Sequence, residues 1–266
     1  MRYANLVEAR PRWSFIAVTT LLFAAGVGMT LVHHTSMSAM NGMPMPGGWT
    51  MSSMWMRVCG QTWIDVAASF AGMWIAMMTA MMLPIVAPTL WRYRAALDTT
   101  DKAHADRLTV CVGAAYFVVW TAFGMTVFPL GVALTMLDMH IPVLARAVPV
   151  ASGIVVLVAG ASQFTSWKMR RLACCSNTPG KRPLAANTGT AWRYGLSFGL
   201  HCVYCCAGPT AVLLVAGIMN LHAMTVVTVA IAAERLAPAG KRVARAIGAV
   251  AIGAGLFMIA RSIGLG

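Results

Sequence analysis

Long apolar segments fill most of this chain, and they constrain its fold more than any other feature. Hydrophobic residues make up 59% of the 266 positions, while charged residues make up only 10%. A soluble domain of this size cannot bury so much apolar side chain, whereas a helix of about 20 apolar residues spans a bilayer. The sequence therefore predicts an all-α polytopic membrane helix bundle of about seven transmembrane helices. The predicted spans are 13–32, 64–91, 108–134, 149–167, 194–219, 221–236 and 246–263.

Positive charges fall on alternate connections of this predicted bundle. Of the 20 Lys and Arg residues, 17 lie on one side, and only Arg57, Arg146 and Arg261 lie on the other. Cytoplasmic loops carry the excess of Lys and Arg, so the N-terminus is predicted to be cytoplasmic and the C-terminus outside. These loops explain the net charge of +13, and no nucleic-acid partner is expected. The predicted location is the inner (cytoplasmic) membrane of a bacterium, crossed several times.

The chain divides into four parts on this topology. Residues 1–12 form a cytoplasmic N-terminus, and residues 13–32 form a first transmembrane anchor. The anchor is expected to stay uncleaved, because no convincing small-residue cleavage site follows its apolar run. Residues 33–63 form an outward Met- and His-rich loop, which faces the periplasm or the cell exterior, and residues 64–263 form the helical membrane domain.

The outward loop is unusually rich in methionine. Residues 33–59 hold seven of the 21 methionines, begin with a His pair and end with a cysteine. Because Ser, Gly, Pro and Asn are frequent there, we do not expect an apolar core; thioethers, imidazoles and a thiol are soft ligands that suit Cu(I). The candidate metal ligands are His33, His34, Met37, Met40, Met43, Met45, Met51, Met54, Met56 and Cys59.

A second group of soft donors lies inside the fifth predicted span, in the segment His201-Cys202-Val203-Tyr204-Cys205-Cys206. On a helix, Cys202 faces Cys206 at i+4 and Cys205 at i+3, with His201 beside them. Pro209 removes the helical hydrogen bond to the Cys205 carbonyl and loosens the backbone there. The spacing predicts a metal or redox site. The alternative is tight helix packing through small residues, with the Gly195-x-x-x-Gly199 motif just before the cluster.

Further soft ligands and intramembrane polar residues accompany these two groups. The second span carries a methionine column, Met73, Met77 and Met81, which is either core packing or a ladder of thioethers. Other outward candidates are His140, Met219 and His222. Glu234 near the end of the sixth span is a functional hypothesis by default. A simple ion pair with Arg235 or another Arg is the alternative, and Gln163 is either an interhelical hydrogen-bonding residue or part of a site.

Several segments resemble a known family. They are residues 73–84, 160–175, 199–224 and 232–238. They are similar to an uncharacterised bacterial family of predicted metal-binding integral membrane proteins, domain of unknown function 2182. The resemblance covers roughly residues 64–260 and implies metal binding without a settled activity. The matching positions are Trp74 to Pro84, Gly160, Gln163, Lys168, Cys174, Cys202, Cys205, Cys206, Gly217, Met219, Asn220 and Glu234. The chain departs from the family where Cys174 and Cys175 are adjacent and where Ala207 and Gly208 replace a Trp.

The sequence thus favours a copper-handling integral membrane protein that binds, delivers or transports copper as Cu(I). It could act as a transporter, a chaperone, or an accessory subunit or assembly factor of a membrane cuproenzyme. The expected partners are the lipid bilayer and a membrane cuproenzyme or periplasmic copper protein; without a phosphate-binding loop, no nucleotide is expected. The alternatives are a structural subunit of a larger membrane complex and a thiol-based membrane oxidoreductase. No catalytic residue is singled out, and a non-enzymatic role is favoured.

Overall fold

The protein is a bundle of long helices with a small β-hairpin at one end. The computed structural model describes residues 2–38, 43–45, 48–51, 53–57, 60–97, 101–170, 187–218, 220–237 and 239–264. The helices are α1 Arg2–Ser38, α2 Trp63–Ala96, α3 Lys102–His140, α4 Pro142–Ser162, α5 Thr188–Ala216, α6 Leu221–Leu236 and α7 Gly240–Ser262. The hairpin strands are β1 Met43–Met45 and β2 Trp49–Met51, and a 3₁₀ helix follows at Ser53–Trp55.

Six of these helices are long and apolar enough to cross a membrane, which confirms the predicted polytopic helical bundle. The predicted span 221–236 coincides with α6, but its 16 residues are fewer than the roughly 20 that a straight span needs. The span predicted at 149–167 is shifted, because α4 begins at Pro142 and continues through Pro149. Proline at the first position of a helix has no hydrogen bond to lose, so Pro142 is a natural start.

Local sequence signals set several helix starts. Thr62 and Asp65 form a capping box at α2: the Asp65 carboxylate accepts from the Thr62 amide at 2.9 Å, and the Thr62 hydroxyl accepts from the Asp65 amide at 3.3 Å. Asn220 caps α6 by accepting from the Ala223 amide at 3.1 Å. These side chains satisfy amides that have no partner within the helix.

Small residues let the helices approach closely. A Cβ on Gly195 would lie 2.5 Å from the Val112 carbonyl oxygen, so α5 packs directly against the backbone of α3. A Cβ on Gly160 would lie 2.8 Å from the Gly248 carbonyl oxygen, which brings α4 equally close to α7. The Gly195-x-x-x-Gly199 motif therefore serves helix packing, as small residues commonly do in membranes.

The hairpin region, by which we mean the two strands together with the 3₁₀ helix and Met56 that follow them, docks on the end of the bundle where α2 begins and α3 ends. The Trp49 indole nitrogen donates to the Ala145 carbonyl at 2.9 Å, and the Trp55 ring lies 5.4 Å from the Phe70 ring. Met51 and Met54, expected to lie outside any apolar core, are 3% and 5% exposed. That expectation is wrong for these two residues, because the hairpin's tryptophans anchor it to apolar side chains of the bundle.

Candidate metal centre

The thiols of Cys202 and Cys206 form a pair on α5. Their sulfur atoms are 3.9 Å apart, and both side chains are buried. Two metal–sulfur bonds of about 2.3 Å span at most about 4.6 Å, so this separation is within the range that one bridging metal ion covers. The i+4 spacing expected from the sequence is therefore realised as a close pair of soft donors.

Residues of two other helices surround this pair. The Tyr116 hydroxyl, from α3, lies 3.0 Å from the Cys202 sulfur and is completely buried. The Arg235 guanidinium, from α6, is close enough to interact electrostatically with both thiols and with Tyr116. A positive charge beside the pair offsets the negative charge that metal-binding thiolates bring into an apolar interior.

The third cysteine of the cluster takes part through its backbone. Cys205 is buried, and its carbonyl accepts a hydrogen bond from the Lys168 ammonium group. Because Pro209 has no amide proton, this carbonyl lacks its usual helical donor, and the ammonium group replaces it. The loosened backbone predicted at this turn is thus held by a side chain from another segment.

Lys168 belongs to a buried polar network that joins three segments. Its ammonium lies 3.0 Å from the Glu234 carboxylate on α6, and Gln163 donates to the same carboxylate at 2.8 Å. Glu234 thus forms an ion pair with Lys168 of the helical stretch 166–170, a lysine where the sequence suggested an Arg, and Gln163 makes an interhelical hydrogen bond. Charges this deeply buried are stable only when they are paired and hydrogen-bonded.

A cavity of about 340 Å³ opens beside this network, between α4 and α5. Lys168 and Cys205 contribute to its wall, and Trp167 and Tyr204 lie at its margin with half-exposed rings. The cavity therefore borders the turn of α5 that contains Cys205.

The methionine column of α2 is buried in the bundle core. Met73, Met77 and Met81 are each at most 3% exposed. One continuous core cluster contains this column, the three thiols of α5 and Met54 of the hairpin segment. The column thus packs in the core, in the same buried cluster as Met54 and the thiols.

None of the five histidines predicted as ligands is fully buried. His201 is half-buried, and its Nδ1 is 2.7 Å from the Ser197 carbonyl of its own helix. His140 and His222 are exposed, and His33 and His34 are half-buried near the end of α1. Within the described ranges, no group of three or more His, Cys, Asp or Glu residues is placed to hold a metal ion.

The remaining hairpin candidates differ in exposure. Met43 is 48% exposed, and Met45 and Met56 are half-buried. Three predicted ligands, Met40, Cys59 and Met219, lie outside the residues that the structure describes. For Met37 the structure describes the backbone alone.

Sequence reasoning missed two partners of the thiol pair. Tyr116 sits in the middle of an apolar span, where a buried hydroxyl usually needs a hydrogen-bond partner, so its position was a usable signal. No such signal indicates Arg235, because its proximity to the thiols depends on how α5 and α6 pack.

A family model matches residues 71–258, which is well over half of the chain. The family is PpoB2, described as a copper chaperone. The match includes the methionine column, the thiol pair and the buried ion pair, and it begins after the hairpin. It confirms that the chain belongs to a copper-related family. The match covers most of residues 64–260, the region that resembles metal-binding membrane proteins, but the two families are described differently. No curated protein and no solved structure matches the chain.

Proposed function

This chain belongs to the PpoB2 copper chaperone family, and from that premise we propose that it binds Cu(I) between Cys202 and Cys206 inside the membrane. It then delivers the ion to a membrane cuproenzyme or an exported copper protein. The observation that carries the proposal is the pair of buried sulfur atoms 3.9 Å apart.

The donor set favours Cu(I) over other common ions. Thiolates and thioethers are soft ligands, whereas Ca²⁺ and Mg²⁺ require oxygen ligands. Structural zinc takes four ligands in a tetrahedron, and among the described residues no cluster of three or more His, Cys, Asp or Glu is available. A thiol pair among buried methionines therefore suits Cu(I) best.

Charge balance supports the same ion. One Cu(I) bound to two thiolates leaves one net negative charge, and the nearby Arg235 guanidinium supplies one positive charge. The neighbouring Lys168–Glu234 pair is itself neutral. The loaded site is then close to neutral overall, which limits the desolvation cost of buried charge.

The hairpin is the entry point in this proposal. Met43 presents its thioether to solvent, and Met54 belongs to the core cluster that reaches the thiols. Copper captured outside the membrane would pass from exposed thioethers to buried ones and then to Cys202 and Cys206. The charge bias of the loops supports an outward-facing hairpin.

Burial disfavours the oxidoreductase alternative. Reactive redox cysteines are at least partly accessible to their partners, whereas Cys202 and Cys206 are 0% and 1% exposed. A metal ion passed along thioethers reaches such a site more readily than the thiol of a partner protein does.

Competition for Cu(I) against a chromophoric chelator, under reducing conditions in detergent, tests the proposal. We expect the wild-type protein to retain one tightly bound Cu(I). The C202S/C206S variant should lose more than about 100-fold in affinity, because ligand loss exceeds the roughly 10–100-fold cost of losing a residue that only supports a ligand.

C111S is the matched control. Cys111 is a half-buried cysteine on α3 whose sulfur lies 3.9 Å from the Thr188 carbonyl. It should leave the tight site intact. Equal Cu(I) affinity in the C202S/C206S and C111S variants would remove the thiol pair from the function and favour a purely structural role.

A further inference from the structure

The Lys168–Glu234 ion pair is almost completely buried, although burying charged side chains costs free energy. The two side chains are 5% and 2% exposed and lie 3.0 Å apart, with Gln163 donating to the same carboxylate. Moving two charges into an apolar interior is costly, and within a membrane such residues usually serve a function. Copper binding by two thiols does not itself use this pair.

The position of Lys168 links the pair to the metal centre. Its ammonium donates to the Cys205 carbonyl, which Pro209 leaves without a helical donor. The peptide that begins with this carbonyl leads directly into Cys206. Its orientation therefore affects the separation of the Cys202 and Cys206 sulfur atoms, which lie across this turn.

Glu234 anchors Lys168 in this position. Its carboxylate lies 3.0 Å from the Lys168 ammonium and accepts a hydrogen bond from Gln163 at 2.8 Å, so α6 is tied to the segment that carries both residues. The ammonium is thereby held where it donates to the Cys205 carbonyl.

We infer that Lys168 and Glu234 are positioning residues for the copper site, which hold the Cys205–Cys206 peptide in place beside the thiol pair. This inference rests on the proposed function. The pair does not bind copper itself. It fixes the turn of α5 that proline would otherwise leave loose.

Three variants at this pair separate positioning from a simple ion pair. K168M removes the charge and the donor, K168R keeps both, and the swap K168E/E234K restores an ion pair without a donor for the Cys205 carbonyl. We expect K168M and the swap to lower Cu(I) affinity about 10–100-fold, as for other residues that support metal ligands. K168R should stay near wild type.

Two further readouts distinguish positioning from stability. Thermal unfolding without copper should show the swap to be more stable than K168M, and X-ray absorption should show altered copper–sulfur bonds in both. R94M is the matched control, since it breaks the Arg94–Asp106 ion pair between α2 and α3, away from the thiols. Wild-type Cu(I) affinity in K168M or in the swap would overturn the inference.

If the swap does not fold, P209A provides a second test. Alanine at this position supplies an amide proton to the Cys205 carbonyl, so K168M/P209A should regain most of the Cu(I) affinity that K168M lost. No recovery would overturn the role assigned to the carbonyl bond. Loss of copper in C202S/C206S but not in K168M would contradict this inference alone, whereas binding that survives in C202S/C206S would contradict the proposed function.

Discussion

The hairpin and the thiol pair contain the same class of soft donor but hold it in different ways. Hairpin methionines range from Met43, 48% exposed, to Met51, 3% exposed, on a short strand pair. Cys202 and Cys206 lie on a long helix with their sulfur atoms fixed 3.9 Å apart. An exposed thioether is accessible for capture of an ion, whereas a buried pair of fixed separation suits its retention.

The family match covers only one of these two regions. The matched region, residues 71–258, contains the thiol pair and excludes the hairpin. In our account the retention site belongs to the part shared with the family, and the hairpin adds capture at the outer end. The two regions should therefore respond differently to substitution.

The docking of the hairpin gives the largest expected effect on stability. W55A removes the ring that packs on Phe70 and Phe128. Because Trp55 is only partly buried, we expect a loss of about 2 kcal/mol, below the ~3–5 kcal/mol of a fully buried Trp. Thermal unfolding in detergent and limited proteolysis of the hairpin measure it. W13A is the control, since Trp13 is 69% exposed, and equal behaviour of the two variants would show that the hairpin is not docked through Trp55.

Gly131, on α3, tests the same docking from the side of the helix bundle. A Cβ at this position would lie 2.4 Å from the Trp55 ring. G131A should displace the ring and lower the free energy of unfolding by about 1–2 kcal/mol. G72A provides the comparison, because a Cβ there meets nothing within 4 Å, and it should be neutral or slightly stabilising. A neutral G131A would mean that Trp55 does not occupy this niche.

Tyr116 tests how tightly the thiol pair is held. Y116F removes the hydroxyl that lies 3.0 Å from the Cys202 sulfur. Loss of one such hydrogen bond should lower Cu(I) affinity about tenfold, which corresponds to about 1.4 kcal/mol. Y93F removes the hydroxyl of another buried tyrosine, one that stacks on Tyr194, and should leave copper binding unchanged. Equal effects of Y116F and Y93F would argue against a specific role for Tyr116.

The exposed and half-buried methionines of the hairpin region give the smallest expected effect on affinity. In the variant M43L/M45L/M56L, the tight site should change by less than about threefold, since its sulfur ligands remain. The rate of Cu(I) uptake should fall instead, as measured by stopped-flow transfer from a weak chelator. A large loss of equilibrium affinity would place the retention site in the hairpin and reverse the comparison.

How far the sequence predicts these features depends on whether they are local. Helix periodicity places Cys202 and Cys206 on the same face of α5. Pro209 leaves the Cys205 carbonyl without its helical donor, so both features were predictable. Tyr116 and Lys168 reach the site from segments that are 86 and 37 residues away along the chain, and such contacts depend on packing. The burial of Met51 and Met54 contradicts local composition because the docking of the hairpin on the bundle determines it.

X-ray absorption at the copper edge tests the central claim most directly. Wild-type protein loaded with one equivalent of Cu(I) should show a first shell of sulfur with two short copper–sulfur bonds. In C202S/C206S the same loading should give a shell without those two thiolate bonds, while C111S matches wild type. A spectrum that is identical in wild type and C202S/C206S would contradict the account, because copper would then be bound elsewhere in the protein.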